Sequence, residues 1–281
     1  MARQRLGQHF LADEGWREQI ARAIRVSPHS IGGITNQNDT PYCWLEVGAG
    51  HGEMTEHLLQ SGKSVYALEL DPPLIAGLQR MAKNQPNLTV LPGDVLQTDL
   101  AAIAAGRRIR LYGNLPYYIT SPILHHFFSF ADQIDLIHIV IQLEVAERLT
   151  AQPGTSDYGY LSVLTQFYSR PELVLRIPRG AFRPPPEVDS ALVTMRSPGA
   201  RKNLHNIASE PFLAFVKTCF AHKRKTLANN LKSHSEPDRL RRLLHERNLR
   251  EDARAEQLTV EELAGIFSAI HASSGNLSKN T

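Results

Sequence analysis

Cysteine is nearly missing from this chain: Cys43 and Cys219 are the two present. Two thiols without paired spacing exclude a disulfide framework and a thiolate metal cluster. Cys43 falls in the apolar run Tyr42-Cys43-Trp44-Leu45 and Cys219 in a helix-like run ending at Phe220, so both are expected to be buried free thiols. The twelve histidines form no HExxH-type cluster; the bare pair His125-His126 reads as structural or surface, and no metal is expected. No stretch approaches the roughly 20 apolar residues of a membrane span. Residues 1–11 lack the apolar core of a signal peptide, which points to the cytoplasm and to no membrane partner. An excess of one charge is lacking too: a formal net charge of +3 does not mark a nucleic-acid binder, so the placement of the basic residues has to decide. There is no internal repeat and no low-complexity block.

What is there is an ordinary globular composition, 42% hydrophobic and 21% charged. Strand-like runs at 42–47, 64–70, 88–91, 109–113 and 136–142 alternate with helical patterns at 54–60, 74–83, 96–105 and 123–130. Such alternation predicts βαβ units, and therefore an α/β fold with a mostly parallel, doubly wound sheet. Runs at 173–177 and 191–195 are separated by a Pro-rich loop and are expected to close the sheet as an antiparallel edge. After Met195 the composition shifts: Arg196-Ser197-Pro198-Gly199-Ala200 reads as a linker, and the rest is helical, at 211–220, 224–231, 238–245 and 260–269. The expectation is a catalytic domain over 1–198 and a small helical domain over 199–281. Residues 32–41 read as a polar surface loop and 275–281 as a frayed tail. No exposed apolar stripe calls for a partner copy, so a monomer is expected.

Three signals converge on a nucleoside ligand. The first strand ends in Leu45-Glu46-Val47-Gly48-Ala49-Gly50-His51-Gly52, a glycine loop that brings backbone N–H groups close to a ligand at a helix start. Its GxGxG spacing, with Gly48 and Gly50 as the candidate contacts, is not the GxGxxG dinucleotide fingerprint. Glu69 ends the second strand about twenty residues on, where an acid can accept ribose hydroxyls. Asp94 follows the third strand in Pro92-Gly93-Asp94-Val95 and can accept from an adenine amine. Ligands of such sheets bind at those strand ends. To this point any adenosine cofactor fits, NAD included.

The fourth strand ends in Tyr112-Gly113-Asn114-Leu115-Pro116-Tyr117-Tyr118. The exocyclic nitrogen of adenine is a poor nucleophile because its lone pair is delocalised into the ring. Two acceptors aimed at its protons move it toward sp³ geometry without a strong base. The Asn114 side-chain oxygen is one, and the Leu115 carbonyl, fixed by Pro116, is the other. Tyr117 is placed to stack on a base splayed out of its helix. Hydride transfer needs no such pair of acceptors, which argues against an NAD enzyme.

At these residues the chain resembles the ribosomal RNA adenine dimethyltransferases over nearly its whole length. The likeness is carried by Arg5-Leu6-Gly7-Gln8-His9-Phe10-Leu11, the Gly48 loop, Glu69, Asp94 and 114–117. It continues through Gln142-Leu143-Glu144-Val145-Ala146-Glu147-Arg148, Tyr158-Gly159-Tyr160-Leu161-Ser162-Val163, Phe182-Arg183-Pro184-Pro185-Pro186-Glu187-Val188-Asp189-Ser190-Ala191 and Lys223-Arg224-Lys225-Thr226-Leu227. The resemblance implies a Rossmann-like S-adenosylmethionine-dependent methyltransferase sheet and S-adenosyl-L-methionine as cofactor. It also implies that His9 and Leu11 line the cofactor. The family usually has Asn at the position of His9; imidazole still donates or accepts a hydrogen bond. Within the family, the first and the YGYLSV and FRPPPEVDSA segments resemble the branch that acts on 16S rRNA of the small (30S) ribosomal subunit. The implied reaction is N6,N6-dimethylation of two adjacent adenosines in the last hairpin loop.

Phe182 opens a stiff Pro-rich loop, which can hold its ring against the second face of the target base or simply anchor the loop. The basic residues gather at 217–254. In a chain that acts on a nucleic-acid base, a phosphate-binding surface is the better reading for Lys223, Arg224 and Lys225, with Arg3 and Arg5 adding to it. Three other readings stay open on the residues alone. They are a 23S rRNA adenine methyltransferase, a small-subunit assembly factor in which catalysis is secondary, and an NAD-dependent oxidoreductase; a DNA adenine methyltransferase is disfavoured, because Leu115 stands where such enzymes are expected to have proline.

Overall fold

The computed structural model describes residues 9–25, 41–204 and 206–272, apart from the side chains of Arg25, Tyr117 and Ala272. The chain forms two compact units, one of Met1–Ala146 with Pro171–Ser197, the other of Glu147–Arg170 with Pro198–Thr281.

In the first unit, β1 (Phe10–Leu11) and α1 (Glu14–Arg25) precede β2 (Tyr42–Val47), α2 (Glu53–Leu59), β3 (Val65–Glu69), α3 (Pro72–Ala82) and β4 (Leu88–Pro92). Then come α4 (Leu100–Ala104), β5 (Arg108–Asn114), α5 (Thr120–Ser129), β6 (Ile134–Gln142) and the start of α6 (Leu143–Thr150). The chain returns to this unit with β7 (Arg170–Ile177), β8 (Phe182–Arg183) and β9 (Ser190–Arg196). The seven-stranded sheet has the order β4-β3-β2-β5-β6-β9-β7. Its first five strands in that order run parallel, and β9 runs antiparallel to β6. The continuous apolar runs of β2 and β6 are explained by burial on both faces.

Strand order reverses between β2 and β5, and that reversal opens a crevice at the carboxyl ends of the strands. Local chemistry sets several boundaries. Pro72 and Pro73 start α3, where a missing N–H costs nothing. Asp99 caps α4 by accepting from Ala101 and Ala102 N–H, which splits the expected helix at 96–105 into a 3-10 turn and a short helix. Helix α1, unmarked in the sequence reading, is started by Asp13, whose Oδ1 accepts from the Trp16 N–H at 3.0 Å. It buries Ile20, Ala21 and Ile24. The two thiols are free and buried as expected.

The second unit holds α7 (Tyr160–Tyr168), α8 (Ser209–Cys219), α9 (Leu227–Asn230), α10 (Pro237–Glu246) and α11 (Val260–Ala272). Its core is aromatic: ring centroids lie 5.1 Å apart for Phe167 and Phe212, and 5.5 Å apart for Phe215 and Phe267. The division therefore differs from the expected cut at residue 198. Val163, Leu164 and Phe167 of α7 are buried with the helices that follow the linker, so 147–170 belongs with them. Gly199 shows how tightly the linker fits: a Cβ there would run into the backbone of Gln166 and Ser169. Among the described residues no helix is long and apolar enough to cross a membrane. Gly199→Ala is expected to cost about 1–3 kcal/mol through overpacking. A thermal melt checks this, and an unchanged midpoint would show that the backbone yields.

Candidate active site

The carboxyl ends of β2, β3, β4 and β5 enclose a cleft of about 910 Å³, counting its open mouth. Gly48, Gly50, Glu69, Asp94, Asn114, Leu115 and Pro116 all line it, so most residues singled out from sequence come together. Val47, Leu68, Leu70, Val95, Ile119 and Ile123 supply apolar walls. Gly48 and Gly50 sit at φ +71° and +59°, conformations that favour glycine. A Cβ on Gly48 would meet nothing nearer than the Asn114 carbonyl oxygen at 3.9 Å, so the loop offers bare backbone.

Glu69 is buried and gripped by three N–H groups. Its Oε2 accepts from Gly50 at 2.9 Å, and its Oε1 from Leu70 and Asp71 at 2.8 and 3.0 Å. A carboxylate has about four acceptor positions, so the same group that ties β3 to the glycine loop retains capacity for a ribose hydroxyl. Asp94 turns Oδ1 to the Leu96 N–H at 2.9 Å, which orients the carboxylate and leaves Oδ2 for an amine. The donor set and the apolar walls fit an adenosine.

Asn114 ends β5 with its amide held in one direction. Its Nδ2 donates to the His9 carbonyl at 2.8 Å, so Oδ1 is left as the acceptor. His9 lines the cleft, and its Nδ1 pairs with the Pro184 carbonyl at 2.8 Å. The segment continues into β1, which pairs antiparallel with β8 through Phe10↔Arg183 and Leu11↔Phe182. Ala12 and Asp13 N–H both donate to the Ala181 carbonyl, and Arg17 donates to the carbonyls of Leu11 and Ala12.

Two of the expected residues are buried beneath this strap. Leu11 is 7% exposed and packs in the apolar core, which leaves its backbone as the part that could face a ligand. Phe182 is 0% exposed in that same core and pairs in register with Leu11, so it anchors the strap. The ring that does reach the cleft from this segment is Phe10, whose edge lies 3.2 Å from where a Gly50 Cβ would be. Tyr118, 64% exposed, also lines the cleft. Neither ring was marked by the sequence reading, although each stands next to a residue that was. The Tyr117 side chain, Arg3 and Arg5 lie outside the described residues.

The pattern of the ribosomal RNA adenine dimethylase family matches residues 1–272. The chain belongs to that family. The chain is 37% identical over 267 residues to the ribosomal RNA small subunit methyltransferase A of Acidobacterium capsulatum, covering 94% of this chain and 89% of that one. Against the enzyme of the same name from Shewanella oneidensis, identity is 35% over 270 residues, covering 96% and 94%. In fold this dimethylase-family chain resembles a dimethyladenosine transferase from Plasmodium falciparum, with a TM-score of 0.78, 21% identity and 95% and 98% of the two chains covered. It also resembles the 23S rRNA methyltransferase ErmE, with a TM-score of 0.68, 24% identity and 93% and 99% covered. The α/β methyltransferase fold is thereby shown.

In the second unit, Lys223, Arg224 and Lys225 are exposed between α8 and α9. The wider basic run is not one free surface. Arg239 and Arg247 donate to carbonyls of α11, while Arg241 and Arg250 pair with Asp238 and Asp252.

One further carboxyl escaped the sequence reading. Glu46, in β2 just before the glycine loop, is 2% exposed, and its Oε2 accepts from the Thr55 hydroxyl at 2.5 Å. Burial pushes its pKa up from 4.5 to about 8, with Glu53 and Glu69 adding to the rise and the Thr55 bond opposing it. Between those values the native chain holds a proton that the unfolded chain has lost, so this group's contribution to stability falls as pH rises. Glu46→Gln keeps an acceptor for Thr55 and removes the titration. Its stability relative to the parent is expected to increase from pH 5 to pH 8, read from denaturant midpoints; a difference independent of pH would show that Glu46 does not titrate there.

Proposed function

We propose that the chain transfers methyl groups from S-adenosyl-L-methionine to N6 of two adjacent adenosines in the 3′-terminal hairpin loop of 16S rRNA. On this reading it acts as a monomer in the cytoplasm, on the small ribosomal subunit or its precursor. The observation that carries the reading is the fixed Asn114 amide at the end of β5, in one cleft with Glu69 and Asp94. Family membership and relatives named for small-subunit rRNA support the substrate.

The bound cofactor would supply an electrophilic methyl on sulfur. Glu69 takes its ribose, Asp94 its adenine amine, and the Gly48–Gly50 backbone approaches closely. Asn114 Oδ1 and the Leu115 carbonyl accept the two N6 protons of the target base and hold its nitrogen lone pair toward the methyl. Pro116, at φ −60° and ψ 130°, fixes the direction of that turn. Tyr118 is an exposed ring at the same cleft, able with Tyr117 to take a splayed base. Lys223, Arg224 and Lys225 supply phosphate contacts that position the RNA.

Asn114→Ala is expected to abolish transfer. Because it also frees the His9 carbonyl, it should weaken S-adenosylhomocysteine binding, but by less than about tenfold, the loss of one hydrogen bond. Glu69→Ala should do the reverse, losing cofactor affinity first. Calorimetry beside a methyl-transfer assay separates the two, and equal loss of both functions in both variants would overturn the division of roles. Labelled methyl groups from S-adenosylmethionine should appear, on undermethylated small subunits, as dimethyladenosine in the terminal 16S hairpin. Label in 23S rRNA or DNA instead would overturn the substrate.

A further inference from the structure

The segment Tyr158-Gly159-Tyr160-Leu161-Ser162-Val163 was given no role in the cleft, yet it shapes a second cavity, of about 840 Å³ counting its open side, wholly inside the second unit. We propose that this groove binds one unstacked nucleotide of the RNA, its phosphate at the first turn of α7 and its base against Tyr160 and Phe220. The proposal rests on the reading of the substrate as RNA.

Gly159 caps α7, and Tyr160, Leu161 and Ser162 of its first turn line the groove, where helix N–H groups have no partner within the helix. Gly159 leaves open space where a side chain would stand. Two cations border the same turn. Lys223 Nζ donates to the Ser156 carbonyl at 2.5 Å, which holds the ammonium at the rim. Arg148 is exposed, and its main chain is pinned to the helix start because Ser162 Oγ donates to the Arg148 carbonyl and accepts from the Gly159 N–H.

Aromatic surface adjoins the cations. Phe220 and Tyr160 are half-buried, and Phe220 packs edge-on to Tyr158 at 6.1 Å. Tyr158 is 1% exposed, lines the groove, and has a hydroxyl without a hydrogen-bond partner. Asp157 also borders the groove, an acceptor suited to a ribose hydroxyl and a reason for bare phosphate to be held less well. Cations for the backbone with rings for the base are the pattern of single-strand recognition.

The test uses the full chain. Small ribosomal subunits with undermethylated 16S rRNA serve as substrate, and a short single-stranded RNA carrying 5-iodouridine as photoprobe. The probe is expected to cross-link to the peptide holding Tyr160. Tyr160→Ala should raise KM for the subunit about tenfold, as loss of one stacked base implies, with kcat unchanged. Tyr160→Phe keeps the ring and should restore KM. Lys223→Gln should reduce the slope of log affinity against log salt by about 0.7. Unchanged S-adenosylhomocysteine affinity and circular dichroism exclude misfolding as the cause. Parent-like KM in Tyr160→Ala and an unchanged salt slope in Lys223→Gln, with transfer intact, would overturn the groove and leave the function standing. If the parent chain transfers no methyl group to rRNA, the functional reading falls. The cross-link then decides the groove alone: at Tyr160 the groove stands as an RNA site, elsewhere or displaced equally by inorganic phosphate it falls.

Discussion

The Asn114 amide makes one hydrogen bond on which the rest of the cleft depends. Its N–H donates to the carbonyl of His9, far away in sequence, so its oxygen has to be the acceptor. An unanchored amide can flip, and a flipped amide would present N–H to the protons of a target amine. The anchor is itself anchored, because β1 is held by β8 and by the Arg17 guanidinium. The N-terminal strap, the Pro-rich loop and the turn at 114–117 therefore act as one element, although their residues span most of the first unit.

Two carboxyl groups near the glycine loop have different environments. Glu69 accepts from three backbone N–H groups where it lines the cleft. Glu46 has one hydroxyl donor and otherwise buried surroundings, and burial holds it protonated into the neutral range. Glu46 also begins a polar row through the sheet interior. It pairs in register with Tyr112, Tyr112 with His138, and His138 with Thr194. His138 shares a 2.9 Å hydrogen bond with Thr194, and burial lowers its pKa to about 3. The sheet that positions the cleft is thus crossed by a row of buried polar groups from β2 to β9.

What was legible in the sequence was what local rules determine. Apolar runs and their spacing identify the strands; positive-φ glycines and acids at successive strand ends mark the cleft. Asn114 was legible because its chemistry is unusual and its neighbours follow directly. Leu11 and Phe182 were not, because their roles come from pairing with each other across the length of the unit. A Phe opening a Pro-rich loop reads equally well as a stacking ring or an anchor, and only the fold shows that it is buried. Glu46 was passed over because an acid inside an apolar strand carries no local signal of its surroundings. The basic run at 217–254 reads as one cluster in the sequence, but the fold turns two of its arginines, Arg239 and Arg247, to carbonyls of α11.

The boundary between the units has the same cause. Composition changes at 196–200, but α7 lies before that change and buries its apolar face among helices after it. The chain crosses between the units at Ala146/Glu147, Arg170/Pro171 and Ser197/Pro198, so residues 1–198 are not a self-contained body. Cut there, Val163, Leu164 and Phe167 would lose the surface that covers them, an exposure of apolar side chains worth roughly 1.5–3 kcal/mol each. The helical unit is therefore not an appendage to a complete catalytic domain. Its first helix is inserted between strands β6 and β7, and the sheet that carries Asn114 closes only after the chain has made that excursion.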